Sequence, residues 1–186
     1  MKFIRIFADR NCLLSVQYDN EKQHEFEKLF RQWTDTEFLF GFFEANERDL
    51  RRPDWKGISV EQAVVETRRE AYELFIFIKN LQEQPPEQRV LLLRKFFRTL
   101  NLRKNRENFL ETKKAYGTRR KTWLRLYALK AGDEVYIITG GAIKLTDTME
   151  ERKHTLKELR KIDICRQFLI SEGIVDDDGV IELLEL

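Results

Sequence analysis

The spacing of apolar residues switches three times along this chain, and that switching constrains the fold more than any other feature. Met1–Phe7 and Leu13–Tyr18 alternate loosely, with Ala8-Asp9-Arg10-Asn11 between them in the composition of a turn. A period of two belongs to a strand with one buried face, so these segments predict a β-hairpin. From Glu21 the period becomes helical: Phe26, Leu29, Phe30 and Trp33 fall at i, i+3, i+4 and i+7. The period returns to two at Thr122–Leu129 and Glu134–Thr139, around the turn residues Gly132-Asp133. It is helical again from Thr155. Two hairpins separated by helices predict an α+β fold: a small antiparallel sheet, made of the N-terminal and C-terminal hairpins, with a large helical insertion packed on it. One domain over 1–186 is the economical division, with a possible helical subdomain at 21–97.

Within the helical stretch, Thr34-Asp35-Thr36-Glu37 has the form of a capping box with Thr34 as cap, leading to a short aromatic helix through Phe38, Phe42 and Phe43. The polar run Asp49–Lys56, with Pro53, reads as a loop. Ser59-Val60-Glu61-Gln62 is a second capping box. It opens the clearest helix, whose buried stripe is Ala63, Thr67, Ala71, Leu74, Phe75, Ile78 and Leu81. Pro85-Pro86 ends it and starts another, with Val90, Leu93, Phe96 and Phe97 on one face. Around Phe109 and Leu110 one more short helix or an ordered loop is expected, closed by Gly117. Gly140-Gly141 predicts a bulge or a tight bend before a third short strand, Ala142–Leu145. Thr155-Leu156-Lys157-Glu158 reads as a third capping box, followed by the stripe Leu159, Ile162, Cys165, Phe168 and Leu169. Gly173 sits where a helix C-terminal glycine belongs. Asp176–Gly179 predicts a turn and Val180–Leu184 a final strand.

Charge is unevenly spread. Between Arg94 and Arg125 there are twelve basic residues against Glu107 and Glu111, a local net of +10 in a chain whose total is +2. The rest therefore carries −8, and the tail after Ser171 holds six acids and no base. Such segregation points to a polyanion partner, or to a basic surface covered by an acidic one. No window approaches the length of a membrane span, and the N-terminus lacks the apolar core of a secretion signal. A cytoplasmic location, no membrane association and reduced, buried Cys12 and Cys165 are the matching expectations. The two cysteines and the two histidines form no metal-site pattern, and no cofactor is expected.

Three groups of residues could carry chemistry. Arg103, Lys104, Arg106, Lys113, Lys114, Arg119, Arg120 and Lys121 are candidates for binding nucleic-acid phosphates. Phe109, Tyr116, Trp123 and Tyr127, close by in sequence, are candidates for stacking on unpaired bases. Arg125 and Tyr127 share one strand face and Lys144 lies on the next element. A sheet face carrying these three could hold a phosphodiester and stabilise charge developing on it. His154, the only histidine near the basic elements, could exchange protons near neutral pH. No P-loop and no nucleophile elbow occurs. Each feature also has a plain structural reading, as a solvated basic face, a packed tyrosine, edge charges or a helix-flanking histidine.

The order of these parts resembles the core of the RelE/ParE toxin superfamily, especially its phage-derived branch. A basic segment leads into the strand LRLY, a polar hairpin turn, an apolar strand, a glycine-containing bend with a lysine, and a helix. The resemblance covers 113–173. It implies a small twisted sheet with helices on one side and, for RelE-like members, metal-independent cleavage of messenger RNA on the ribosome with the substrate 2′-hydroxyl as nucleophile. ParE-like members inhibit DNA gyrase instead. Arg125 matches the strand arginine and Lys144 the lysine after the last core strand. Where the family usually has two lysines this chain has Lys144-Leu145, and the helices of 21–97 would be a large insertion. The resemblance implies a toxin component, an endoribonuclease or a degenerate relative of one, with Arg125, Lys144, Tyr127 and His154 as catalytic candidates, RNA or the ribosome as partner and an antitoxin as a second. The alternative is a non-enzymatic module that binds nucleic acid or protein through 94–125. A third is a structural or regulatory protein whose basic stretch pairs with its own acidic tail.

Overall fold

The computed structural model describes residues 1–8, 10–100, 110–117, 122–174 and 176–185. Strands β1 (Lys2–Phe7) and β2 (Arg10–Gln17) form the expected antiparallel hairpin, with Lys2 opposite Gln17. Helices α1 (Glu25–Thr34), α2 (Thr36–Ala45), the single turn α3 (Glu47–Leu50), α4 (Val60–Gln82) and α5 (Pro86–Phe96) follow. The chain then returns to the sheet as β3 (Arg98–Thr99), β4 (Glu111–Tyr116), β5 (Leu124–Ala131) and β6 (Val135–Ile143). Helices α6 (Lys153–Ser171) and α7 (Asp177–Glu185) end it.

The fold is α+β, but the sheet is larger than expected and mixed. Its order is β1-β2-β6-β5-β4-β3. Every pairing is antiparallel except β2 with β6, where Leu13 lies beside Tyr136 and Ser15 beside Ile138. A parallel pair needs a long connection. Here the whole helical stretch is part of that connection, so the two hairpins join side by side.

Helices cover both faces of the sheet. Phe26, Leu29, Phe30 and Trp33 of α1 pack with Ala63, Leu74 and Ile78 of α4 against Leu124, Leu126, Ala128 and Ile138. Burial of each such side chain contributes about 1.5–3 kcal/mol. On the other face Ile162, Cys165 and Leu169 of α6 pack on Tyr127, Leu129 and Ile137. Cys12 and Cys165 are free, buried thiols in different clusters, and burial pushes the Cys165 thiol up to about 12.

Local chemistry corrects several sequence expectations. Thr34 ends α1, its hydroxyl donating back to the Phe30 carbonyl at 2.8 Å, and Asp35 caps α2 by accepting from the Phe38 N–H at 3.0 Å. The Ser59–Gln62 capping box forms as predicted. Thr155 lies inside α6 and donates to the Met149 and Arg152 carbonyls instead of capping. Gly173, at φ +73°, closes α6 as expected, with the Ile174 N–H donating to the Leu169 carbonyl at 2.8 Å. Residues 111–116, expected in a helix or loop, are strand β4. Gly140 and Gly141 lie inside a continuous β6, with the bulge and not the tight bend of the two expected: the register with β5 slips between Tyr127 and Ala128. The final segment is helix α7, not a strand: Asp176 accepts from the Gly179 N–H at 2.9 Å and starts it.

Beyond Ile138, β6 no longer pairs with β2, and side chains satisfy part of its edge. Tyr18 donates to the Thr139 carbonyl at 2.9 Å, and the Glu158 carboxylate accepts from the Gly141 N–H at 2.9 Å. Glu158 is buried and sits in a chain of charges with Lys161 and Glu25, each contact at 2.8 Å. Burial pushes its carboxyl above the ordinary range.

Candidate functional site

Side chains directly opposite one another in an antiparallel pair share a face. Arg98 lies opposite Lys114, Lys114 opposite Tyr127, and Tyr116 opposite Arg125. Arg125 is in turn opposite Ala142 of β6, and Lys144 is two residues further on, its N–H donating to the Trp123 carbonyl at 2.7 Å. The register therefore gathers Arg98, Lys114, Tyr116, Arg125 and Lys144 at one corner of the sheet. Helix α6 buries Tyr127 on this face and leaves Arg125 half-buried.

Arg98, Tyr116, Arg125 and Lys144 of this corner line a cleft of about 730 Å³. Lys95 and Phe96 from the end of α5 line one side, with Arg98 of β3. Asp54 and Trp55, from the connection between α3 and α4, line another, with Thr146 and Asp147 after β6. Among the described residues, four cations, Lys95, Arg98, Arg125 and Lys144, thus face a shared space against two acids. One of those acids, Asp147, is paired with Arg52 at 2.6 Å.

Arg125 is held rigidly. One guanidinium nitrogen, Nη1, donates to the Thr122 and Leu124 carbonyls at 2.6 and 2.8 Å, and the group stacks on Tyr116 with 4.2 Å to the ring centroid. Among the described residues nothing else accepts from the group, which leaves Nε and Nη2 for an oxyanion, in the planar geometry that suits phosphate. Lys144 donates to the Thr146 and Asp147 carbonyls, both at 2.6 Å, and keeps one donor. Burial, then the Arg125 charge beside it, pulls its ammonium below the ordinary lysine range. Burial of Tyr116 opposes ionisation, but Lys114 and Arg125 outweigh it and draw the phenol below its ordinary value. The Tyr116 shift reports a concentration of positive charge, and the Lys144 shift reports burial first and the neighbouring Arg125 charge second.

Of the expected catalytic residues, Arg125 and Lys144 meet in the cleft and two do not line it. Tyr127 shares the Arg125 face as predicted, but it is 1% exposed and its hydroxyl has no partner among the described residues; burial raises its pKa. His154 lies in the first turn of α6. Its Nε2 donates to the Ile143 carbonyl at 2.9 Å, its ring packs edge-on against Phe42, and burial lowers its pKa. Trp123, a stacking candidate, is core: its Nε1 donates to the buried Thr67 hydroxyl at 2.8 Å.

Of the expected phosphate contacts, Lys114 lies over the Tyr116 ring at 5.4 Å, and Lys113 is buried and paired with Glu111 at 2.6 Å. Arg103, Lys104, Arg106, Arg119, Arg120 and Lys121 lie outside the described residues, as does Phe109. Gly117 and Thr122, on either side of residues 118–121, both line the cleft. Among the described residues no ion pair joins the acidic tail to the basic segment. Asp177 instead accepts from the main-chain N–H groups of Asp133 and Val135 at 2.9 and 3.0 Å. No described helix is long and apolar enough to cross a membrane.

Sequence reasoning missed Trp55, Phe96 and Asp147. A tryptophan in an otherwise polar loop was the available signal for the first. Searches against family models, curated proteins and solved structures return no significant match.

Proposed function

We propose that this protein binds RNA in the Arg125–Lys144 cleft and cleaves it there without a metal, as a RelE-like toxin component. The observation that carries the reading is the convergence of Lys95, Arg98, Arg125 and Lys144 around Tyr116 in one cleft. In the reaction the substrate 2′-oxygen bonds to phosphorus and the bond to the 5′-oxygen breaks. The products are a 2′,3′-cyclic phosphate and, once the departing 5′-oxygen has taken a proton from water, a 5′-hydroxyl. Charge builds on the phosphoryl oxygens in the transition state. Arg125, fixed by two carbonyls and a ring, is placed to stabilise it without reorganising. Lys144 adds a second charge. Tyr116, its phenol drawn toward ionisation by neighbouring cations, takes the 2′-hydroxyl proton, the role first expected of Tyr127 or His154.

A second reading, a non-enzymatic nucleic-acid-binding module, is favoured by one observation: two of the four expected catalytic side chains are engaged elsewhere or buried. One experiment separates the two. End-labelled single-stranded RNA is incubated with the protein in excess EDTA, beside Arg125→Ala and the Arg125→Ala/Lys144→Ala double variant. Cleavage by the wild type, lost in both variants, supports the nuclease. Binding by the wild type without cleavage leaves the binding module. Neither binding nor cleavage removes both. Induced expression in bacteria adds an independent readout: growth arrest by the wild type and not by the double variant supports the toxin role.

A further inference from the structure

The segment between β6 and α6 that begins with Lys144 is tied to the helical layer at three places. Trp55 Nε1 donates to the Leu145 carbonyl at 2.8 Å. Arg52 reaches the Asp147 carboxylate at 2.6 Å and Glu151 at 3.3 Å. Arg152 grips the two oxygens of Asp49 at 2.8 and 2.5 Å. Asp49, Arg52 and Trp55 all come from the short stretch that ends α3 and precedes α4. The Lys144 ammonium rests on the main-chain oxygens of Thr146 and Asp147, so its position follows the path of this segment. The Arg52–Asp147 pair is largely solvent-exposed on the aspartate side, and pairs of that kind add little to global stability. Its effect falls on where the segment lies.

We infer that Arg52, acting through Asp147, is a positioning residue that holds Lys144 in the cleft, so that the helical layer completes the anion site built on the sheet. The inference deepens the proposed function and rests on it only for the identity of the ligand. The groups facing Lys144 are Arg125 on β5, Lys114 on β4, and Asp147 and Glu151 on its own segment.

Asp147→Asn is the deciding variant, because two explanations predict opposite signs. Removing a carboxylate from the cleft lining, with nothing moved, strengthens anion binding and makes Lys144 lose its proton more easily. Releasing the segment does the reverse: Lys144 moves out to solvent, away from Arg125, and holds its proton to higher pH. The Lys144 ¹³Cε shift is followed by NMR against pH, with the resonance assigned through Lys144→Arg. Binding of a fluorescent single-stranded oligoribonucleotide is measured by anisotropy at fixed salt. The positioning role predicts a raised Lys144 midpoint and roughly tenfold weaker RNA binding, the loss of one charge-assisted contact. Asp147→Glu restores both. An unchanged or lowered midpoint overturns the inference. A raised midpoint, with RNA affinity unaffected by either Asp147→Asn or Lys144→Ala, upholds the positioning role and overturns the RNA reading instead.

Discussion

Gly140→Ala tests the packing of α6 on the sheet. A Cβ at this position would stand 1.9 Å from Glu158 Oε2, where ordinary contact begins at 3.4 Å, so the carboxylate must retreat by about 1.5 Å. That oxygen accepts the Gly141 N–H at 2.9 Å in a buried setting, and a retreat of this size breaks the bond. Losing a buried hydrogen bond to a charged group costs about 1.5–3 kcal/mol. This is a large share of the roughly 5–15 kcal/mol that holds a domain folded. Urea denaturation of Gly140→Ala should show a lower midpoint with an unchanged m value. The decisive comparison is a double-mutant cycle. Glu158→Ala alone should cost about 2–3 kcal/mol, since it strands the Gly141 N–H, while Lys161 keeps Glu25 at 2.8 Å. With the carboxylate gone, the alanine methyl meets little. The double variant should therefore match Glu158→Ala or exceed it by up to about 1 kcal/mol, because alanine restricts the unfolded chain. Additivity within about 0.5 kcal/mol would refute the steric argument.

Two further predictions concern the cleft. Lys144 sheds its proton, and Tyr116 its own, at lower pH than ordinary groups of their kind, and both changes remove positive potential. Affinity for a 2′-O-methyl oligonucleotide should therefore fall as the pH rises toward the alkaline range, and Lys144→Arg with Tyr116→Phe should abolish the fall; a decline that persists in the double variant would assign it elsewhere. The four described lining cations contribute roughly −3 to the slope of log K against log salt for a single strand, and Lys95→Ala/Arg98→Ala should make it shallower by about 1.4, because each contact contributes about −0.7. Both residues are exposed, so an unchanged slope would place the nucleic acid outside this cleft.

The helices were legible where one face is apolar and the ends carry their own chemistry. The α4 stripe and its Ser59 cap could be read directly, because both are local. The element β4 was not legible. Its sequence, ETKKAY, offers only Ala115 to the core in the way a strand usually does, and Lys113 is buried there because Glu111 and Thr99 lie within reach at 2.6 and 3.3 Å. That compensation depends on pairing with β3, a contact absent from the sequence pattern. The last segment, VIELLEL, was ambiguous for a different reason. A short apolar run fits a buried strand or a helix equally, and the choice fell to Asp176 acting as a cap.

The same division runs through the site. Alternation places Arg125 and Tyr127 on one face, and the structure keeps them there. Which of the two meets solvent depends on how far α6 extends over the sheet, and that rests on the glycine pair. Gly140 makes room for the Glu158 carboxylate, so α6 lies close and seals Tyr127. Gly141 makes room on the opposite face, where a Cβ would meet the Arg125 carbonyl at 2.6 Å and Leu29 of α1 at 2.9 Å. A tight bend at the two glycines would end the strand, whereas a bulge lets it run on, and β6 runs on past both of them. In the fold they let helices approach β6 from both sides while β5 runs on to Arg125. The cleft walls, Trp55, Phe96 and Asp147, arrive from connections far apart in sequence, held together by contacts such as Arg52 to Asp147. Residue types announced that cations would gather near the last hairpin; only long-range packing decides which of them share one space and which aromatic ring they share it with.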